Sequence, residues 1–241
     1  MKKFMIRWVI LGVGLLATIT LFLFFKNKNA QQVCQSFEIH FVQKQVPYLS
    51  KSELKQYLDR DTIRFIGEPI KTIDLSKIEA SLHTNPYIKN ADCYFKMDGQ
   101  LYMDIEQKTA ILRVIPNVGK SYYLDEDGKR FPLSAHHTSD VKVATGYITS
   151  NLDSKLYIFT RYVNQSTFWN SFIEQIFVRP NGDIVFTTQI GGHEVVVGDN
   201  SRLKQKFQKL EQFYQRASVN QGWEVYREIN LKYKDQVICK K

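Results

Sequence analysis

The residues that could do chemistry in this chain are its five histidines, its three cysteines and one run of three acids. His40, His83, His136, His137 and His193 fall in no H-E-x-x-H or other ligand spacing, and neither a G-x-S-x-G elbow nor an S-x-x-K is present. His136-His137 is the one doublet. Neighbours on an extended chain point to opposite faces, so a loop would be needed to converge both on one metal. Asp125, Glu126 and Asp127 could form a cation site or an acid and base pair, but acids beside Gly128 also have a local reason, the turn they stand in. Gly191-Gly192 comes without a G-x-G-x-x-G or a P-loop lysine, so a hairpin explains it better than phosphate binding. Cys34, Cys93 and Cys239 are an odd set without a C-x-x-C, and no disulfide framework follows from them. Cys34 reads as a linker thiol and Cys93 as a small core residue. The chemistry expected is that of a protein which is not an enzyme and needs neither cofactor nor metal.

The elements that would position these residues start from residues 73–106, a helix followed by a hairpin. Leu75, Ile78 and Leu82 line one helical face, Asp74 or a Ser76/Glu79 capping box starts the helix, and Pro86 ends it. Ala91, Cys93, Phe95 and Met97 then alternate with polar residues, as do Leu101, Met103 and Ile105, and Asp98-Gly99 between the two runs predicts a type I′ turn. Upstream, Phe37, Ile39 and Phe41 form a strand pattern. Ser50 and Glu53 stand at capping-box spacing before Leu54 and Leu58. The order is strand, helix, helix, strand, strand, and a small sheet with two helices on one face buries every apolar stripe.

Residues 8–25 carry no charge and are rich in Val, Ile, Leu and Phe. About 18 residues make roughly 27 Å of helix, which spans a hydrocarbon core. Bulky residues up to Lys26 favour an uncleaved anchor over a cleaved signal, and the short tail, residues 1–7, favours a cytoplasmic N-terminus with the rest exported. Residues 26–36 read as a polar linker. An apolar fraction of 44% suits a packed core, and a formal charge of +9 is spread through segments that also carry acids. Solvated faces account for that charge better than a nucleic-acid or lipid patch, so no nucleic-acid partner is expected.

The second half predicts a mostly antiparallel β domain with packed helices. Residues 110–115 and 141–145 are strand candidates, and residues 122–124 pair with 130–133 through Asp127-Gly128. Asp153 can cap a helix carrying Leu156, Phe159 and Val163, and a short helix covers residues 167–172. Residues 173–178, 183–188 and 194–197 read as an antiparallel meander turning at Asn181-Gly182 and Gly191-Gly192. From Asp199 or Asn200 as cap, Leu203, Phe207, Leu210 and Phe213 mark a long amphipathic helix, its Arg and Lys on the other side. Packing on the meander satisfies its apolar face more simply than a membrane surface does. Residues 225–233 and 236–239 end the chain as two strands around a turn at Lys234-Asp235.

Several motifs stand in order along these elements. Asp74-Leu75, Ile78, Leu82, Asn85-Pro86-Tyr87-Ile88 and Ala91 resemble the "D-x-x-x-I-x-x-x-L-x-x-x-P-x-V-x-x-A" pattern of the FtsQ/DivIB family of bacterial cell-division proteins. Residues 101–106 resemble that family's third strand, residues 121–128 its "Y-L-D-x-x-G" turn, and Phe131-Pro132-Leu133-Ser134 the version typical of Bacteroidetes. Residues 198–210 followed by Ile229-Asn230-Leu231-Lys232-Tyr233 resemble its "L-G, K-L helix, I-D-L-R-Y" ending, with Asn230 and Lys232 in place of Asp and Arg. Ala110 departs from the family, which often has Pro nearby.

The resemblance implies an α+β architecture: a single N-terminal transmembrane helix, a polypeptide-transport-associated (POTRA) domain of βααββ order over residues 37–108, and a β domain over residues 109–241. It also implies a non-enzymatic, single-pass protein of the inner membrane, with its N-terminus cytoplasmic and its C-terminus periplasmic at the division septum. Its partners would be small division proteins with coiled-coil stems (FtsB- and FtsL-like), recruited by strand addition at the last strand, with no small-molecule substrate. The partner-binding residues expected are Lys232, Tyr233, Gln236 and Val237. Tyr233 matches the family's terminal tyrosine, although such a ring could equally pack on the long helix. Two other classes compete: a membrane-anchored enzyme acting on peptidoglycan, which would need a nucleophile and base in a cleft, and a POTRA-bearing secretion component, which would need tandem repeats or a barrel.

Overall fold

A computed structural model describes residues 12, 14–20, 32–42, 48–60, 64–220 and 225–241, with the backbone alone for 217–220. Most of the expected membrane span lies outside these residues. Residues 14–20 are helical, and among the described residues no helix is long and apolar enough to cross a membrane. The chain divides into two compact units, Met1–Gln107 and Lys108–Lys241.

The first unit holds β1 (Phe37–Phe41), α1 (Lys51–Arg60), a 3-10 turn at Ile70–Thr72, α2 (Leu75–His83), β2 (Ile88–Phe95) and β3 (Leu101–Gln107). The sheet order is β1-β3-β2, with β1 parallel and β2 antiparallel to β3. Period-two alternation explains the burial, since Leu101, Met103 and Ile105 are all fully buried with Leu54, Leu58, Ile78 and Leu82 from the two helices. The capping box of α1 forms reciprocally: the Ser50 amide donates to Glu53 Oε2 at 2.9 Å and the Glu53 amide donates to Ser50 Oγ at 3.2 Å. Asp74 caps α2 by accepting from the Lys77 amide at 3.3 Å. The alternative box at Ser76 is not made, because Glu79 turns to the sheet and accepts the Cys93 amide at 2.8 Å.

Two local expectations are corrected here. The hairpin loop is three residues rather than a type I′ pair: the Gly99 amide donates to Lys96 O, Lys96 pairs with Gln100, and Gly99 alone has positive φ, at 81°. Type I′ needs two consecutive residues in that region, and Asp98 stays out of it. Cys34 is a buried core residue and no linker thiol. Residues 32–34 hydrogen-bond with residues 67–70, through Cys34 N–H to Glu68 O at 3.0 Å and Gly67 N–H to Cys34 O at 2.8 Å.

The second unit is a nine-stranded sheet, ordered β12-β11-β10-β9-β8-β7-β4-β5-β6. Its strands are β4 (Ala110–Pro116), β5 (Tyr122–Asp125), β6 (Arg130–Pro132), β7 (Lys142–Gly146), β8 (Ile173–Val178), β9 (Ile184–Thr188), β10 (Glu194–Gly198), β11 (Glu228–Asn230) and β12 (Ile238–Lys240). Its helices are α3 (Asp153–Asn164), α4 (Thr167–Phe172) and α5 (Leu203–Asn220). Five of the eight pairings are antiparallel and three are parallel. Two of the parallel pairs, β7 with β8 and β10 with β11, are joined through helices, which a crossover connection requires. One core gathers Leu156, Phe159 and Val163 of α3, Trp169 of α4, and Leu203, Phe207 and Leu210 of α5 against the strands.

Helix starts here differ from expectation. Asp153 is the first residue of α3 rather than its cap, and its carboxylate takes the Tyr122 hydroxyl at 2.6 Å and the Arg130 guanidinium. Asp199 holds Ser201 and Lys206 instead of capping the first turn of α5. Lys206 is therefore buried on α5, against the expectation that its basic residues all face away from the core.

Candidate partner-binding site

Residues 231–237 connect β11 to β12, and all four expected contact residues fall in this connection rather than on a strand. The strands are shorter than the sequence predicts because the Asn230 side chain accepts the Lys232 amide at 3.0 Å, a local turn that draws the backbone off the ladder. β11 lies between β10 and β12, while among the described residues β12 has β11 as its single neighbour. One row of backbone donors and acceptors on β12 therefore has no partner strand among the described residues.

Each side chain has a distinct setting. The Lys232 stem lies over Gly198, where an added Cβ would come 2.8 Å from Lys232 Cγ, and its ammonium sits 2.7 Å from Asp183 Oδ2. Burial pushes the Asp183 carboxyl up, but hydrogen bonds from Lys232 and Asn181 outweigh it and hold the group below its ordinary value. The same bond raises Lys232. Tyr233 is 49% exposed. Its carbonyl and that of Gln236 accept from Lys209 Nζ, which ties both ends of the connection to α5. Burial lowers the Lys209 ammonium below its ordinary value. Gln236 is exposed, and Val237 is half-buried against the core.

A row of alternating charge crosses the sheet beside this edge. Arg179 bridges Glu194 of β10 and Glu228 of β11 at 2.8 Å each, and Lys240 of β12 meets Glu228 at 2.7 Å. Glu194 and Glu228 are register partners, so Arg179 relieves a like-charge pair. Hydrogen bonds from Lys240 and Arg179 lower the Glu228 carboxyl. Ile238, 37% exposed, and Lys240 present side chains from the edge strand. Sequence reasoning did not single out Asp183, Lys209, Ile238 or Lys240. The only local signal was Asn230 two residues before Lys232, the spacing of a side-chain-capped turn.

The other candidates have structural settings. Asp125 is buried and accepts from the Asp127 and Lys129 amides at 3.0 and 2.8 Å while pairing with Lys108 at 3.2 Å. His193 is buried with Nε2 at 2.7 Å from the Tyr214 hydroxyl, and burial lowers its pKa. Burial lifts the Cys93 thiol to about 12. Among the described residues no group of three His, Cys, Asp or Glu could hold a metal ion. The arrangement at the C-terminal edge offers an open strand, an exposed aromatic ring and paired charges, which are means of recognition.

Two family models match the chain. Residues 109–240 match the one described as FtsQ/DivIB, C-terminal related. Residues 32–106 match the one described as POTRA-like domain. No curated protein matches the chain.

Proposed function

The chain belongs to the FtsQ/DivIB family, whose model matches more than half of its 241 residues, and from that premise we propose that it is a scaffold of the bacterial division machinery. In this reading it is a single-pass protein of the inner membrane, anchored through residues 8–25, with its N-terminus cytoplasmic and its C-terminus periplasmic at the septum. Residues 37–108 act as a membrane-proximal POTRA domain, and residues 109–241 as the recruiting domain. It recruits single-pass division proteins of the FtsB and FtsL type by strand addition at β12, and it does so without catalysing a reaction.

The observation that supports this most is the open edge of β12 beside a half-exposed Tyr233 on a connection clamped by Lys209. Main-chain bonds to the edge supply affinity, and Tyr233, Gln236, Val237 and Ile238 supply selectivity. Lys232 shapes the connection through Asp183, so reversing its charge would set two acids face to face and confound the test. Tyr233→Ala with Gln236→Ala leaves that ion pair intact. Pull-down with an FtsB-type partner should show affinity weakened about tenfold or more for the double variant. Undiminished binding by the folded double variant moves the site away from this edge.

A further inference from the structure

The first unit has a second open edge, and its chemistry differs from that of β12. The bonds Leu101 N–H to Ser36 O and Val42 N–H to Ile105 O fix the phase of the parallel ladder. Even-numbered residues of β1 bond β3, so the N–H and C=O groups of Phe37, Ile39 and Phe41 face away from the sheet. Immediately before β1 the chain pairs with residues 67–70, but from Phe37 onward β3 is its one strand neighbour among the described residues. Beside this edge runs a groove of about 440 Å3 whose walls include Gln35, Phe37, Ile39, Lys51, Lys55 and Ile66. Ile66 is 54% exposed, and Lys55 Nζ lies 5.8 Å from the Phe37 ring centroid.

The opposite edge is closed by comparison. On β2 the outward amide of Cys93 is taken by Glu79 at 2.8 Å, and Asp92 stands exposed next to it. An incoming strand there would have to displace one carboxylate and tolerate another. At β1 the groove carries Lys51 and Lys55, one turn apart on α1, against one acid, Glu38.

We infer that the β1 edge is a docking site for an extended segment of a partner protein, one whose groove-facing positions carry an apolar residue flanked by acids. The segment adds to β1 through the outward groups of Phe37, Ile39 and Phe41. Its apolar side chain enters between Phe37 and Ile66, and its acids meet Lys51 and Lys55. This site does not rest on the reading of the C-terminal edge.

The test uses the full chain in detergent and two synthetic peptides, one with the core Glu-Thr-Val-Thr-Glu and one with lysine in place of both glutamates. The acidic peptide should bind about tenfold tighter by fluorescence anisotropy, the size two partly screened ion pairs can supply. It should slow amide exchange at Phe37, Ile39 and Phe41. Lys51 and Lys55 are exposed, so the Lys51→Glu, Lys55→Glu double variant folds, and it should reverse the peptide preference. Tyr233→Ala should leave peptide binding unchanged, which separates this site from β12. The proposal is overturned if neither peptide binds, if both bind equally, or if protection falls at Cys93 or at Ile238.

Discussion

Gly198 and Lys232 show how a single position sets the shape of the C-terminal edge. Gly198 holds φ at 79° and lies under the Lys232 stem, so Gly198→Ala adds backbone strain and a close contact together. The variant should lose about 1–3 kcal/mol in urea unfolding and shift the resonances of residues 231–233; an unchanged midpoint would show that the stem moves aside freely. Acid should weaken the same region in two steps. His193 has a folded pKa below its ordinary value, so its contribution is complete above about pH 6.5 and is lost as pH falls toward the folded value. Asp183 and Glu228 are likewise depressed, so their contribution is complete above about pH 4.5 and disappears as pH falls through their folded values. His193→Gln should flatten the first step and leave the second, read as urea midpoint against pH.

At the level of elements, three hairpins share one solution. Gly99, Gly128 and Gly182 each donate to the carbonyl three residues back and hold φ between 75° and 81°. The Asp-Gly and Asn-Gly pairs announced these turns, and the three-residue form follows because only the glycine takes the left-handed region. Surroundings then separate the glycines. A Cβ at Gly182 meets nothing within 4 Å, whereas one at Gly128 comes 2.9 Å from Tyr157 Cγ. Gly182→Ala should cost about 1 kcal/mol, the backbone term alone. Gly128→Ala should cost measurably more, and equal losses in chemical denaturation would mean that Tyr157 yields. The α1 capping box gives a simpler case: Ser50→Ala should remove about 1 kcal/mol, visible as faster amide exchange in the first turn.

For the whole molecule, two separate cores set the pattern of stability. Leu82 is fully buried among the first unit's helices and sheet, so Leu82→Ala should cost about 2–5 kcal/mol. Hydrogen exchange should report the loss across β1 to β3, and an equal loss across β8 to β10 would contradict independent cores. Lys206, Lys232, Arg179 and Lys240 each pair with an acid within the second unit, so these cations are neutralised locally and the excess of +9 resides on other residues. From sequence alone, the periods of Leu75-Ile78-Leu82 and of Leu101-Met103-Ile105, the Ser50/Glu53 box and the ordered family motifs were enough for the POTRA order and most strand positions. Those signals lie within a few residues of each other, which is the range over which backbone geometry imposes a period. Which strands become edges was decided only by the tertiary structure, as were the burial of Cys34 and Lys206 and the use of Lys232 to hold Asp183. Such features join residues far apart along the chain, Asp183 and Lys232 being 49 positions apart. No local period encodes that pairing; it is settled when the separate apolar faces are buried together.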